Sequence, residues 1–485
     1  MRPPKVGILS FSDGREHVHR ELVGLVERFQ ERVAQRLRQE GWEVVTGREV
    51  VWTTDLAVRE SRYLAAQGVE ATVFNYAIWA WPHFSAVAAN FAPHPILLFS
   101  NINPQYPGLV AMLAAAGSLD QIGVPCGRVS GDVEDPAVFR RAVAFLRAAV
   151  AKNRLRGETY GLIGGRSMGM YTAVPALDQW RRDFGVDIEH IDQYEIVRRA
   201  EAIPDSRVEE GVSWWERNGA TIHYDGHKLT PELLRRQLKA YLAVRELVEE
   251  WRLDFCGIKG QPELTNHFAT MDVPEALLND PYDWEGPHDP VVCATEADSD
   301  GALTMEVFKH LSGTPVLFAD VRHYHQEDDV WDLCNSGQHA TYFAARSFDP
   351  ADNLPRVHLY PAILYFPAGG ASVMHVAAPG PVTLARLARR NGRYWMAIVP
   401  GEFVEFSPEE TDRKVRATTA EWPHAFARFR VAPEVFLAEY DSNHIHGVYG
   451  DWVPELAWFC RMCGIEARVF DGRVRTGDEV LREAR

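Results

Sequence analysis

The feature that most constrains this chain is a long alternation of two hydrophobic periods. Short apolar, β-rich runs take turns with longer stretches whose apolar residues recur at helical spacing. KVGILSF (5–11) opens the series, and a helical pattern follows from about Arg20 to Gln39. WEVVTG, ATVFNY and HPILLFS read as buried strands with helical segments between them. The run 135–157 closes this first unit as a helix, with Asp135 as its cap and Pro136 in its first turn. A second unit starts at ETYGLIGG (158–165) and contains a helix capped by Thr230 and opened by Pro231. The strands DFCGIKG (254–260), DPVVCATE (289–296) and TPVLFAD (314–320) follow. Such alternation implies parallel sheets with helices on both faces. From about residue 355 the texture changes to β-rich runs punctuated by Gly and Pro, with little helix between them. The expected fold class is therefore α/β: two Rossmann-like parallel-sheet domains (1–157 and 158–312), then a mostly antiparallel, barrel-like C-terminal domain (313–485).

Composition narrows the function. The 485 residues carry 51 Lys plus Arg against 67 Asp plus Glu, a formal charge of −16. A nucleic-acid binder needs a basic surface to displace counterions, and an anionic membrane repels an acidic protein, so neither partner is expected. No stretch approaches the ~20 apolar residues of a membrane span. The apolar run at the N-terminus is too short for a signal peptide and reads as the first strand. The six cysteines are thinly spread, which fits reduced thiols in a cytoplasm. Cys460 and Cys463 form a lone CxxC in an apolar helical stretch and read as two packed thiols.

In open α/β sheets ligands lie beyond the carboxyl ends of the strands. DPVVCATE ends in Glu296 and TPVLFAD in Asp320, with one helical segment between them. Read as a strand–helix–strand unit, this places two carboxylates at one crevice, where a shared proton or a cation must offset their repulsion. Asp298 and Ser299 are better placed than Glu296 to cap the intervening helix. Histidines follow at 323, 325, 339, 444 and 446, and His444 stands out on an apparent tight turn after Asn443. Two carboxylates and one imidazole suit Mn²⁺ or Mg²⁺ better than a thiolate-loving metal. GGRSMGM (164–170) lacks both the dinucleotide and the phosphate-loop spacing, but its glycines allow close backbone approach at a pocket wall. Tryptophans at 79, 81, 214, 215 and 422 are candidate faces for sugar C–H groups, although most tryptophans are simply packed.

GGRSMGM, ATEADSDGA, FADVR, NSG and SNHIHGVYG occur in one order across nearly the whole chain. That series resembles the L-fucose isomerase / L-arabinose isomerase family of metal-dependent aldose–ketose isomerases, with L-fucose isomerase the nearer match. The resemblance implies that Glu296, Asp320 and His444 hold the metal and that Glu296 and Asp320 also transfer protons. It implies substrate contacts at Met168, Gln261, Ser336, Trp422 and Asn443. Arg15 and Trp79 match positions that the family supplies from a neighbouring subunit, so a homo-oligomer, usually a hexamer, is implied. The implied cofactor is Mn²⁺, with Mg²⁺ or Co²⁺ as alternatives, and no nucleotide. The implied reaction converts a free sugar of the L-fucose or D-arabinose type, or L-arabinose, through a cis-enediolate. Ala371 stands where the L-fucose enzymes place a substrate-facing tyrosine, which implies an altered wall near C5 of the sugar. A metal-dependent sugar aldolase or lyase, and a non-catalytic sugar-binding protein, are the competing readings of the residues.

Overall fold

The computed structural model describes residues 2–101, 103–336 and 339–483. Its contacts divide the chain into two units, the first built from residues 2–154 with 454–462 and 480–483, the second from 155–453 with 463–479.

The first unit is a doubly wound domain. Strands Glu43–Thr46, Lys5–Phe11, Ala71–Tyr76, Ile96–Ser100 and Cys126–Ser130 lie side by side in that order, all parallel. The order reverses between the first and third strands of the sequence, the usual place for a ligand crevice in such sheets. The predicted helices are present as Glu16–Gln39 and Pro136–Leu155. Asp135 caps the second, its carboxylate accepting from the Ala137 N–H at 2.9 Å. Residues of the late helix Val453–Cys463 return to this unit. There the buried Glu455 pairs with Arg140, and Trp458 packs edge-on against Phe145 at 5.0 Å.

The second unit opens with another parallel sheet, ordered Cys293–Thr295, Phe255–Ile258, Thr159–Ile163, Asp187–Ile191. The helix Pro231–Trp251 covers it, burying Leu234, Leu238, Tyr241 and Leu247. Its cap is Thr230, whose hydroxyl accepts from the Leu233 N–H at 3.2 Å, as the Thr-Pro pair predicts.

Six strands of this unit then close a ring. Gly380–Arg390 pairs with His444–Tyr449, which pairs with Leu317–His325, then Val330–Cys334, His424–Phe429, Arg393–Phe403 and back to Gly380–Arg390, every pairing antiparallel. Leu317, Leu333, Leu384, Val399, Ala425 and Ile445 fill its core. The β-rich texture of the sequence is thus a closed barrel, and closure leaves no exposed edge around the ring. Two further strands, Glu466–Asp471 and Arg473–Thr476, extend it beside Arg393–Phe403.

Two details depart from the sequence reading. TPVLFAD does not continue the parallel sheet: after the helix Ser299–Ser312 the chain enters the barrel, so the strands ending near Glu296 and Asp320 are not neighbours. And VHLYP pairs with ASVM on one side and Thr221–Ile222 on the other in a separate small sheet, packed into the core of the α/β part rather than the barrel.

Candidate active site

Barrel register creates half of the site. Asp320 and His444 are 124 residues apart in sequence but stand directly opposite each other on adjacent antiparallel strands. Leu317, Ala319 and Ile445 point into the barrel core. Strand alternation therefore turns Asp320 and His444 to the other face. Glu296 arrives from elsewhere, on the turn after Cys293–Thr295. Glu296 and Ala297 both take left-handed backbone conformations, with φ of +57° and +48°. Two consecutive non-glycine residues there cost of order 1–3 kcal/mol each, and such strain persists where the surrounding structure holds a side chain in place.

The result is a close cluster. The Nε2 atom of His444 lies 3.3 Å from Glu296 Oε2 and 3.4 Å from Asp320 Oδ1. That nitrogen is buried, yet it makes no well-directed hydrogen bond to either oxygen. The other ring nitrogen, Nδ1, is 2.7 Å from Asp298 Oδ2. Asp298 also caps the helix Ser299–Ser312, accepting from the Gly301 N–H at 3.1 Å, so the expected cap doubles as a partner of His444. Arg386 grips Asp298 with both arms of its guanidinium.

This set fits a divalent cation. With His444 neutral, the carboxylates of Glu296, Asp320 and Asp298 against the Arg386 guanidinium leave a formal charge of −2. A buried imidazole nitrogen aimed between two carboxylates, its ring held from behind by a third, is the donor arrangement of carboxylate–histidine–metal sites. The charges of the site shift its titration. Burial disfavours a charged His444, but its bond to Asp298 and the close carboxylates of Glu296 and Asp320 overcome this and push the ring up to about 10. Burial raises the Asp320 carboxyl, and the nearby Glu296 charge adds to the rise. Asp298 goes the other way, because the Arg386 charge and His444 outweigh its burial.

Three of the other singled-out residues of the second unit, Gln261, Asn443 and Ser336, are tied to this cluster by hydrogen bonds. Gln261 donates to Glu296 Oε1 at 3.2 Å. Asn443 donates to Asp320 Oδ1 at 3.2 Å. Ser336 reaches Asp320 through Asn335, donating to that amide at 3.1 Å while Asn335 donates to Asp320 Oδ2 at 3.0 Å. Gly337, the last residue of the NSG motif, lies outside the described residues. Met168, exposed and at φ +41°, sits in a loop whose Met170 sulfur lies 3.9 Å from Asn443. Trp422 is mostly buried against Phe366, with Arg322 of the Asp320 strand over its ring.

Other candidates fall away from it. Ala371 is fully buried in the small sheet, where its N–H and carbonyl are both bonded by Gln237, so it presents no exposed surface. Trp214 and Trp215 are core residues. His323 and His325 contact each other further along the barrel strand, and His339 is buried without touching the three-residue set. Arg15 and Trp79 belong to the first unit. Arg15 is half-exposed just past the first strand, its guanidinium and its own N–H bonded to the buried Asp13. Trp79 is partly buried against the core of that unit.

Three residues at the site escaped sequence reasoning: Asn335, Met170 and Arg386. Asn335 and Met170 flank singled-out residues, so the motifs NSG and GGRSMGM held the signal. Arg386 had none, because an arginine in a β-rich run reads as solvent-facing. A separate cluster, Glu158, Glu306 and His310, offers one ligand-type atom each within 4.8 Å of one another. It lies at the amino end of the strand Thr159–Ile163, and its carboxylates already face Lys309 at 2.6 Å and His310 at 2.7 Å.

Three family models match the chain: the first N-terminal domain of L-fucose isomerase over residues 3–157, the second over 240–313 and the C-terminal domain over 333–470. L-fucose isomerase of Citrobacter koseri is 26% identical, over 91% of this chain and 88% of its own length. That of Escherichia coli strain SMS-3-5 is 25% identical over the same shares. With all three domains matched in order, the chain belongs to the L-fucose isomerase family of aldose–ketose isomerases.

Proposed function

We propose that the protein isomerises a free aldose to its ketose with the help of a divalent metal, Mn²⁺ first and Mg²⁺ or Co²⁺ as alternatives. The single observation that carries this reading is the unsatisfied Nε2 of His444 set between Glu296 and Asp320. Those three residues would hold the ion. When bound, it would act as a Lewis acid on the two neighbouring sugar oxygens and stabilise negative charge there.

The chain's own groups do the rest. Interconverting aldose and ketose moves a hydrogen between C1 and C2 and needs a base for a carbon-bound proton beside a carbonyl. Glu296 and Asp320 supply a pair of carboxylates, one for the carbon-bound proton and one for the hydroxyl proton, through a cis-enediolate. Gln261 orients Glu296, and Asn443 and Asn335 orient Asp320. Their remaining polar atoms, with Ser336, recognise sugar hydroxyls, while Met168 and Trp422 offer apolar surface to C–H groups. Arg15 and Trp79 complete the site of a neighbouring subunit in a homo-oligomer, a hexamer by family resemblance. The substrate class is L-fucose and D-arabinose, with L-arabinose next, and the setting cytoplasmic.

The test is a panel of pentoses and 6-deoxyhexoses given to EDTA-treated protein without metal and with Mn²⁺, Mg²⁺ or Co²⁺, products read by NMR in deuterated water. Expected is metal-dependent ketose formation, with L-fucose or D-arabinose fastest. Cleavage of a sugar carbon–carbon bond, or no conversion with any of the three metals, sinks the reading.

A further inference from the structure

Arg386 is a fully buried cation with several bonds, and nothing in the reaction requires it to touch the sugar. It sits on the barrel strand Gly380–Arg390 and is 1% exposed. One nitrogen, Nη1, bonds Asp298 Oδ2 and lies 3.1 Å from His446 Nε2. The other, Nη2, donates to Asp298 Oδ1 at 2.9 Å and to the Thr172 carbonyl at 2.8 Å. Asp298 in turn takes the His444 Nδ1–H, leaving the Nε2 lone pair to face Glu296 and Asp320. One chain of contacts thus runs from the barrel, through the start of the helix Ser299–Ser312, to a proposed metal ligand.

Gly301 shows how tightly this chain is assembled. A Cβ there would stand 2.6 Å from Asp298 Oδ2, 2.7 Å from Arg386 Nη1 and 2.8 Å from His446 Nε2. The glycine of ATEADSDGA is the gap that lets the guanidinium reach the carboxylate. An arginine buried at the cost of a lost side chain on the neighbouring helix is placed for its fork, since the fork matches both carboxylate oxygens at once.

We propose that Arg386 is a positioning residue for the metal site: by clamping Asp298 it fixes the plane and the tautomer of His444, and it thereby sets divalent-cation affinity rather than sugar affinity. The inference rests on the metal reading above. Two effects of Arg386 oppose each other. Through space its positive charge repels a cation, so its loss by that effect alone would tighten metal binding. Through Asp298 it orients a ligand, and loss of such an outer partner typically weakens metal binding 10–100-fold.

The test is Mn²⁺ titration of EDTA-treated protein by calorimetry, for the wild type, Arg386→Met, Arg386→Lys and Asp298→Asn. Metal-saturated kcat and KM and the thermal midpoint of each metal-free form accompany it. Expected is Mn²⁺ binding weakened about 10–100-fold in Arg386→Met and Asp298→Asn. Arg386→Lys, which keeps the charge and loses the fork, weakens it too, and KM for the sugar at saturating Mn²⁺ stays within about twofold. Unchanged or tighter Mn²⁺ binding in Arg386→Met, or wild-type affinity in Arg386→Lys, overturns the proposal. Should Arg386→Met not fold, the near-isosteric Asp298→Asn decides: normal Mn²⁺ affinity there overturns it as well. A wild type that binds no Mn²⁺ overturns the metal reading and this inference together, whereas a binding wild type with indifferent variants overturns this inference alone.

Discussion

Glu296 concentrates strain, charge and chemistry in one residue. Its left-handed backbone favours glycine, and its carboxylate sits in the same buried cluster as Asp320 and His444. Glu296→Gly is therefore expected to abolish turnover while leaving the fold equally stable or more so, by up to roughly 1 kcal/mol of relieved backbone strain, read as an equal or higher thermal midpoint. A variant that unfolds early would show that Glu296 is mainly a structural anchor, and one that keeps turning over would remove it from the chemistry. Glu296 was legible in the sequence as a carboxylate ending a strand. Asp298 was legible as a helix cap, but its bond to His444 was not, because capping is a local property and that bond spans 146 residues.

Among the elements, the turn Thr341–Ala344 depends on a buried acid from the end of the helix Asp272–Asn279. Asp280 accepts from the Thr341 hydroxyl at 2.7 Å and from the Tyr342 N–H at 2.9 Å. Burial pushes its carboxyl up to about 7. A group raised in the folded state binds its proton more tightly there than in the unfolded chain. Its stabilising contribution is thus complete below the ordinary value of 3.8 and is lost as pH rises toward about 7. Asp280→Asn removes this titration while keeping an oxygen for the Tyr342 N–H. Melting at about pH 5 and about pH 8 is expected to show a smaller fall in midpoint for the variant than for the wild type. An equal fall would mean that Asp280 does not lose its proton in that range. The helices here obey the sequence closely: the Thr230-Pro231 and Asp135-Pro136 starts are capped as their residue types require. The strand Leu317–His325 did not, since an apolar run ending in Asp reads alike in a parallel sheet and in a barrel.

At the scale of the whole molecule, the proposed site draws Glu296 from one subunit and Arg15 from another. Glu296→Gln and Arg15→Ala chains, each inactive alone, are then expected to regain activity when refolded or co-expressed together. Random mixing in a symmetric oligomer would make about a quarter of the sites whole. Mixtures as inactive as their parents would place Arg15 outside the catalytic assembly. Among the described residues no helix is long and apolar enough to cross a membrane.

What the sequence by itself determined is what short-range physics can carry. The two hydrophobic periods specified parallel α/β units followed by a β-rich barrel, and cap residues specified where helices begin. Carboxylates at strand ends and a histidine after Asn443 pointed, together with the family resemblance, to the proposed metal set. The tertiary structure alone decided which strands are neighbours, and so that Asp320 meets His444 by antiparallel register across a closed barrel rather than Glu296 along a parallel sheet. It also decided that Ala371 is buried in a core and that Arg386 is a buried clamp. The reason is one of range: periodicity and capping act within a few residues, whereas register, barrel closure and a buried ion pair depend on partners distant along the chain, which local pattern does not encode.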